Sequence, residues 1–330
     1  MRCAVLGGGS WGTALAVQLA RVGHETVLWD RHADRCAAIN RDHRNPRYLR
    51  EVKLPPALRA SPDLQESLAD AELVVPALPS HALRSVLGSA RSAIRAEQLV
   101  CCATKGLEDD TLATMYDVCV ESWGGADRTS VLTGPSFALE VAQGLPTAVV
   151  VAGSDPGATA AADAFHGDLF RAYHTEDVVG VCIGGALKNV MAIACGVSDG
   201  LGLGANARAG IITRGLAEMS RLAVVQGANP LTLMGLAGIG DLVLTCTGDL
   251  SRNRRVGLAL GQGRGLPEIL EEIGEVAEGV TTARNADLLA DRAGVEMPIT
   301  RQVAAMLHRG VPAVEALMAL MGRQRRAERD

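Results

Sequence analysis

Only three lysines occur in the 330 residues, against 29 arginines. Two of the three sit inside apolar, glycine-rich segments: Lys105 in Ala103-Thr104-Lys105-Gly106-Leu107, and Lys188 in Gly184-Gly185-Ala186-Leu187-Lys188-Asn189-Val190. Arginine keeps its proton throughout the accessible pH range, whereas a desolvated lysine can release and regain one. Lys188 is surrounded in sequence by Ile183, Leu187, Val190, Met191 and Ile193. Burial there disfavours the charged form and moves the amine toward the range useful for proton transfer at neutral pH. An ion pair with a carboxylate such as Asp241, in Gly238-Ile239-Gly240-Asp241-Leu242, is the structural alternative. The two roles are compatible, because the carboxylate would position the amine and moderate the shift.

A second chemical signal is Ser251-Arg252-Asn253, which precedes a helix expected from about 254 to 261. A hydroxyl, a guanidinium and an amide beside a helix start can cradle a phosphate or carboxylate, or simply cap the helix.

These groups need a frame. Cys3-Ala4-Val5-Leu6 reads as a short buried strand opening into Gly7-x-Gly9-x-x-Gly12, and Thr13 to Val22 has helical composition and spacing. A second strand, Thr26 to Trp29, ends at Asp30, 18 residues beyond Gly12. In that context the glycines mark a dinucleotide site: Gly7 for the turn, Gly9 for approach of backbone to pyrophosphate, Gly12 for close helix–strand packing. Asp30 suits the ribose of NAD(H) and Arg31 suits the 2′-phosphate of NADP(H), so both cofactors stay open.

Further apolar runs, 73–75, 99–102, 130–132 and 147–151, alternate with helical stretches and imply a doubly wound, parallel, Rossmann-type α/β sheet. Each run ends in a loop of functional character, and Pro76 is expected to end or bulge its strand. From about residue 178 strand signals stop, and helical patterns follow at 179–198, 206–226, 280–293, 297–309 and 312–321. The expected organisation is a dinucleotide-binding domain over 1–178 and an all-α domain over 179–330, with a ligand cleft at their junction.

Composition narrows the remaining choices. A net charge of −5 argues against a general nucleic-acid binder, which would normally carry a basic face. Residues 178–197 are apolar enough to span a bilayer, but Lys188 and Asn189 fall at the centre, so a helix buried in protein is expected, not an integral membrane protein. Residues 1–20 are interrupted by Gly7-Gly8-Gly9-Ser10 and do not read as a signal peptide. Eight cysteines without a framework, and histidines without ligand spacing, fit reduced thiols in a cytoplasmic protein that holds no metal. The tail containing Arg323, Arg325, Arg326, Glu328, Arg329 and Asp330 reads as a solvated end.

Taken together, the chain resembles the bacterial NAD(P)-dependent glycerol-3-phosphate dehydrogenases. The likeness rests on Gly7-Gly8-Gly9-Ser10-Trp11-Gly12-Thr13-Ala14, Ala103 to Glu108, Gly134-Pro135-Ser136-Phe137-Ala138, Gly185 to Asn189, Gly235 to Asp241, Ser251 to Arg255, and Glu278-Gly279-Val280. The resemblance implies a C-terminal domain like that of 6-phosphogluconate dehydrogenase. It also implies reduction of dihydroxyacetone phosphate to sn-glycerol 3-phosphate, supplying glycerophospholipid synthesis. By matching motif, Lys188 is the expected general acid and base. Ser10, Trp11, Arg31, Lys105, Ala138, Arg252 and Glu278 are expected to join the glycines in lining the cofactor. Lys105, Gly134, Ser136, Lys188, Asn189, Asp241, Ser251, Arg252 and Asn253 are expected to meet a small phosphorylated substrate. A homodimer is the expected assembly. Asp30 and Leu139 depart from the family's usual residues and favour NAD. Other β-hydroxyacid dehydrogenases, ketopantoate reductases and a non-catalytic NAD(P) sensor are the competing readings.

Overall fold

The computed structural model describes residues 1–324 and 327. Its N-terminal half alternates strands and helices: β1 (Arg2–Leu6), α1 (Ser10–Arg21), β2 (Glu25–Trp29), α2 (Ala33–Asp42), β3 (Leu58–Ser61), α3 (Leu64–Ala69), β4 (Leu73–Pro76), α4 (Ser80–Ser89), β5 (Leu99–Cys102), α5 (Met115–Trp123), β6 (Thr129–Thr133), α6 (Ala138–Gln143), β7 (Thr147–Gly153), α7 (Gly157–Phe165) and β8 (Phe170–Thr175). The helical half follows as α8 (Val178–Gly200), α9 (Gly204–Val225), α10 (Asp241–Thr247), α11 (Arg252–Gly261), α12 (Leu266–Ile273), α13 (Glu278–Ala293), α14 (Pro298–Arg309) and α15 (Ala313–Met321).

The eight strands form one sheet in the order β3-β2-β1-β4-β5-β6-β7-β8. Apolar side chains on both faces of the inner strands are covered by helices, which accounts for runs such as Cys3–Leu6 without polar alternation. Pro76 closes β4, where only the last rung toward β5 lacks a donor, and its carbonyl accepts Ala103 N at 2.8 Å. One pairing departs from the expected parallel sheet: β6 and β7 are antiparallel. The link between them, 134–146, is helical only over Ala138–Gln143 and does not run back along the sheet, so β7 starts at the end where β6 stops.

α8 organises the other half. It is long and apolar enough to cross a membrane, yet almost all of it is buried against α9, α10, α11 and α13. Asp177 caps it, accepting Gly180 N at 2.9 Å. Against α11 the two backbones touch. A Cβ on Gly196 would stand 2.1 Å from Arg254 O, and one on Gly257 would stand 2.0 Å from Ile193 O. Gly200 and Gly261 repeat the contact one turn later. The helices therefore run side by side in the same direction, which sets the start of α11 beside Lys188 and Asn189. The helical patterns expected from sequence are present, with Arg252 and Asn253 inside the first turn of α11 and not ahead of it. Of the tail, Arg323 pairs with Glu296 at 3.2 Å; Arg325, Arg326, Glu328, Arg329 and Asp330 lie outside the described residues.

The backbone contact gives a direct test. Gly257→Ala is expected to lower stability by at least about 1–3 kcal/mol, because neither helix can retreat without opening the core. Gly210→Ala in α9, where a Cβ meets nothing within 4 Å, should be neutral or stabilising. Urea unfolding of both variants checks this; equal stabilities would contradict the packing.

Candidate active site

The carboxyl ends of β1, β4, β5 and β6 face the helical half across a cleft of about 550 Å³. At its base lies Asp241, the first residue of α10, 1% exposed and delivered by a π-helical turn over Leu236–Gly240. Its Oδ1 is 2.5 Å from Lys188 Nζ and its Oδ2 is 3.2 Å from Lys105 Nζ. Thr133 Oγ1, at the end of β6, donates to Oδ2 at 3.3 Å, and Thr245 Oγ1 lies 3.3 Å from Oδ1 while donating to the Asp241 carbonyl at 2.6 Å. Two buried groups and the partly buried Lys105 thus meet from three parts of the fold, and with both amines protonated they sum to one positive charge.

Burial is the largest influence on Lys188 and pushes its ammonium down to about 7. Asp241 opposes that shift and Lys105 adds to it. Burial pushes the Asp241 carboxyl up, but the two ammonium groups together outweigh it and hold the carboxyl below its ordinary value. Lys105 is held from the other side by its own loop. Thr104 Oγ1 accepts Leu78 N at 3.0 Å, tying the β5 loop to the β4 loop, and Lys105 Nζ lies 5.6 Å from the Trp11 ring centre.

Beside the trio, Asn253 Nδ2 donates to Asn189 Oδ1 at 2.9 Å, and Asn253 Oδ1 accepts Gly279 N at 3.0 Å. Ser251 caps α11 by accepting Arg254 N at 3.2 Å. Arg252 is held away from Asn253: its Nη1 donates to Glu275 Oε2 at 3.1 Å and to Val276 O at 3.0 Å. Ser10 Oγ donates to the same Glu275 oxygen at 3.4 Å. Glu278 bridges the two halves, accepting Ser80 N at 3.0 Å and Ser80 Oγ at 2.6 Å. Burial pushes its carboxyl up in spite of those bonds.

The other end of the cleft fits a dinucleotide. A Cβ on Gly12 would stand 1.9 Å from Gly7 O, so α1 starts tight against β1. Gly9 precedes α1 with no side-chain cap, and a Cβ there would meet nothing within 4 Å. Uncapped N–H groups beneath open space suit a pyrophosphate. Trp11 Nε1 is a buried donor without a partner at the same place.

Of the expected cofactor residues, Gly9, Ser10, Trp11, Lys105, Ala138, Arg252 and Glu278 line the cleft; Gly7 and Gly12 shape the turn behind it. Arg31 is exposed and does not line the cleft, its Nε 3.3 Å from His32 Nε2, and Asp30 is buried in an ion pair with Arg35. Of the expected substrate residues, Lys105, Ser136, Lys188, Asn189, Asp241, Ser251, Arg252 and Asn253 line the cleft, while Gly134 is buried behind it and accepts Ser136 Oγ at 2.8 Å. Thr133 and Glu275 are not singled out by the sequence. Thr133 had a signal, a polar residue closing an apolar strand directly before Gly134; Glu275 had none.

Residues 2–159 match the family description "NAD-dependent glycerol-3-phosphate dehydrogenase N-terminus", and residues 177–318 match its C-terminus. A glycerol-3-phosphate dehydrogenase [NAD(P)+] of Anaeromyxobacter dehalogenans is 53% identical over 331 residues, covering 99% of this chain and 100% of the relative. One from Xanthomonas campestris is 51% identical over 328 residues, covering 99% and 96%. The crystal structure of glycerol-3-phosphate dehydrogenase from Coxiella burnetii superposes with a TM-score of 0.93 at 41% identity, covering 98% of this chain and 99% of that one. With both halves matched in order, the chain belongs to the NAD-dependent glycerol-3-phosphate dehydrogenase family.

Proposed function

We propose that the cleft performs reversible, NAD(P)-dependent reduction of dihydroxyacetone phosphate to sn-glycerol 3-phosphate, with Lys188 carrying the proton. The Lys188–Asp241–Lys105 trio supports this reading more than any other observation: a buried amine brought to about 7 is poised to exchange a proton, and a second ammonium stands beside it. Family membership disfavours the β-hydroxyacid dehydrogenase, ketopantoate reductase and sensor alternatives.

In the proposed complex the glycine turn, Ser10 and Trp11 hold the dinucleotide, which supplies the hydride for reduction and takes it back for oxidation. As the substrate carbonyl oxygen gains negative charge, Lys188 Nζ gives it a proton; in oxidation the neutral amine removes that proton from the hydroxyl. Asp241 keeps Lys188 aimed through Oδ1 and Lys105 through Oδ2. Lys105 stands beside it and stabilises the developing oxyanion. Asn189, locked by Asn253, offers its free amide N–H groups toward the same region. Ser136, Ser251 and Arg252 form the phosphate end, with Arg252 exchanging Glu275 for phosphate.

We propose a dinucleotide domain over 1–178 and a substrate domain over 179–330; a last strand ending at Thr175 and the long helix starting at Val178 support the division. We also propose a cytoplasmic homodimer supplying glycerophospholipid synthesis. The eight free cysteines suit a reducing compartment, and Val225, Leu231 and Met234 expose an apolar face near the end of α9.

Loss of NADH or NADPH absorbance with dihydroxyacetone phosphate tests the activity; no loss above background refutes it. In the reduction direction the protonated amine is required, so kcat/KM should fall as pH rises through about 7, and in oxidation it should rise through the same range. Lys188→Met should lower kcat by about 10²–10⁴ or more with cofactor affinity retained; retained turnover would remove Lys188 from the role. Asp241→Asn leaves the buried Lys188 and the partly buried Lys105 unpaired and should cost about 3–5 kcal/mol of stability. That cost should shrink as pH rises and the Lys188 amine becomes neutral in both folded and unfolded states, as urea titrations at several pH values will read. Arg252→Ala should raise KM for the phosphate substrate about tenfold or more with less change in kcat; an unchanged KM would contradict its placement.

A further inference from the structure

The end of β2 carries an acidic residue, Asp30, which in dinucleotide folds normally selects the free ribose hydroxyls over a 2′-phosphate. Here the carboxylate is not presented for that purpose. It is 4% exposed and lies directly against the glycine turn, so that a Cβ on Gly8 would stand 2.1 Å from Oδ2. Oδ1 accepts His32 N at 2.9 Å, and Oδ2 is 2.5 Å from Arg35 Nη1, itself mostly buried. The Arg35 guanidinium lies 5.2 Å from the Tyr48 ring centre, and Arg47 lies 5.5 Å from the same centre. The loop carrying Tyr48 and Arg47 is fixed to the glycine turn. Asn45 Oδ1 accepts Arg47 N and Tyr48 N at 3.1 Å each, while Asn45 Nδ2 donates to Gly8 O at 3.0 Å and Thr13 Oγ1 at 2.9 Å.

We propose that Arg35 is a specificity-determining residue that cancels the Asp30 charge, so that the adenosine end of the cleft takes a 2′-phosphate as well as a free hydroxyl. With Asp30 neutralised in its pair, Arg47 on the cleft wall and the exposed Arg31 next to Asp30 set the sign of the potential there, and Asp34 and Glu51 are solvated. Without Arg35 a desolvated carboxylate beside the glycine turn would repel a 2′-phosphate, and low solvent exposure would leave that repulsion poorly screened. Arg35 acts through Asp30 and need not touch the cofactor. The inference rests on the dinucleotide site argued above, and it concerns the choice between the two cofactors, not the reaction.

The test uses the full-length enzyme and two probes, adenosine 2′,5′-bisphosphate and 5′-AMP, followed by isothermal titration, with the ratio of their dissociation constants as the readout. Arg35→Met should shift that ratio against the 2′-phosphate by at least about tenfold, since a full charge is unmasked. Arg35→Lys, which keeps the charge, should leave the ratio near the parent's. The double variant Asp30→Asn with Arg35→Met removes both charges and should return the ratio to within about threefold of the parent. It also serves as the folded reference if the single variant is unstable. An unchanged ratio in Arg35→Met, or a double variant that stays shifted, overturns the assignment of Arg35. Failure of the parent to bind either probe overturns the dinucleotide site itself and this proposal with it.

Discussion

A single buried carboxylate beneath two ammonium groups constrains everything else in this molecule. Neither lysine could be buried alone at acceptable cost, and Asp241 offsets that cost only because each of its oxygens meets one amine at short range. The residues come from the β5 loop, the middle of α8 and the first turn of α10, so the trio exists only when sheet and helices are docked. Thr133 adds a strand end to the same oxygen that holds Lys105. One positive charge is left over, and it points into a cleft proposed to take a phosphorylated ketone and a pyrophosphate-bearing cofactor. Arg252 adds a second positive charge at the end proposed for the phosphate.

The helical half reads as a device for holding α8 rigid. Glycines at 196, 200, 257 and 261 let α11 approach until backbones touch, which is closer than any pair of side chains would permit. That approach is what allows Asn253 to reach Asn189, and Gly279 N at the start of α13 locks Asn253 in turn. Catalytic precision of this kind depends on backbone geometry more than on side-chain choice, because a shift of one turn would carry Lys188 away from Asp241. At the mouth, Ser80 and Ser10 of the sheet half bond to Glu278 and Glu275 of the helical half, so the cleft is spanned by polar contacts that a ligand can exchange.

Much of this was legible in the residues themselves. The glycine turn, Lys105 and Lys188 stood out because their chemistry is conspicuous against apolar surroundings, and Asp241 followed as the counter-charge. Less was legible where the determinant is long-range. β3 and β8 are edge strands whose residues, Leu58-Arg59-Ala60-Ser61 and Phe170 to Thr175, mix polar and apolar without a clear period. The antiparallel turn of β7 depends on where α6 packs, which no local pattern encodes. In the sequence only the position of Asp30 is visible, and position alone suits a ribose acceptor; its pairing with Arg35 depends on the first turn of α2 folding back. Arg252 likewise looked like half of a phosphate cradle, and only the fold shows Glu275 holding it aside.

With three lysines in the chain, the central claim can be measured on the amine itself. Reductive ¹³C-methylation followed by an NMR pH titration, with Lys188→Met to assign the signal, reports each amine separately. Lys188 is predicted to titrate near 7 in the folded enzyme. A midpoint near the ordinary lysine value of about 10.4 would show that the amine is neither desolvated nor poised, and would contradict the account.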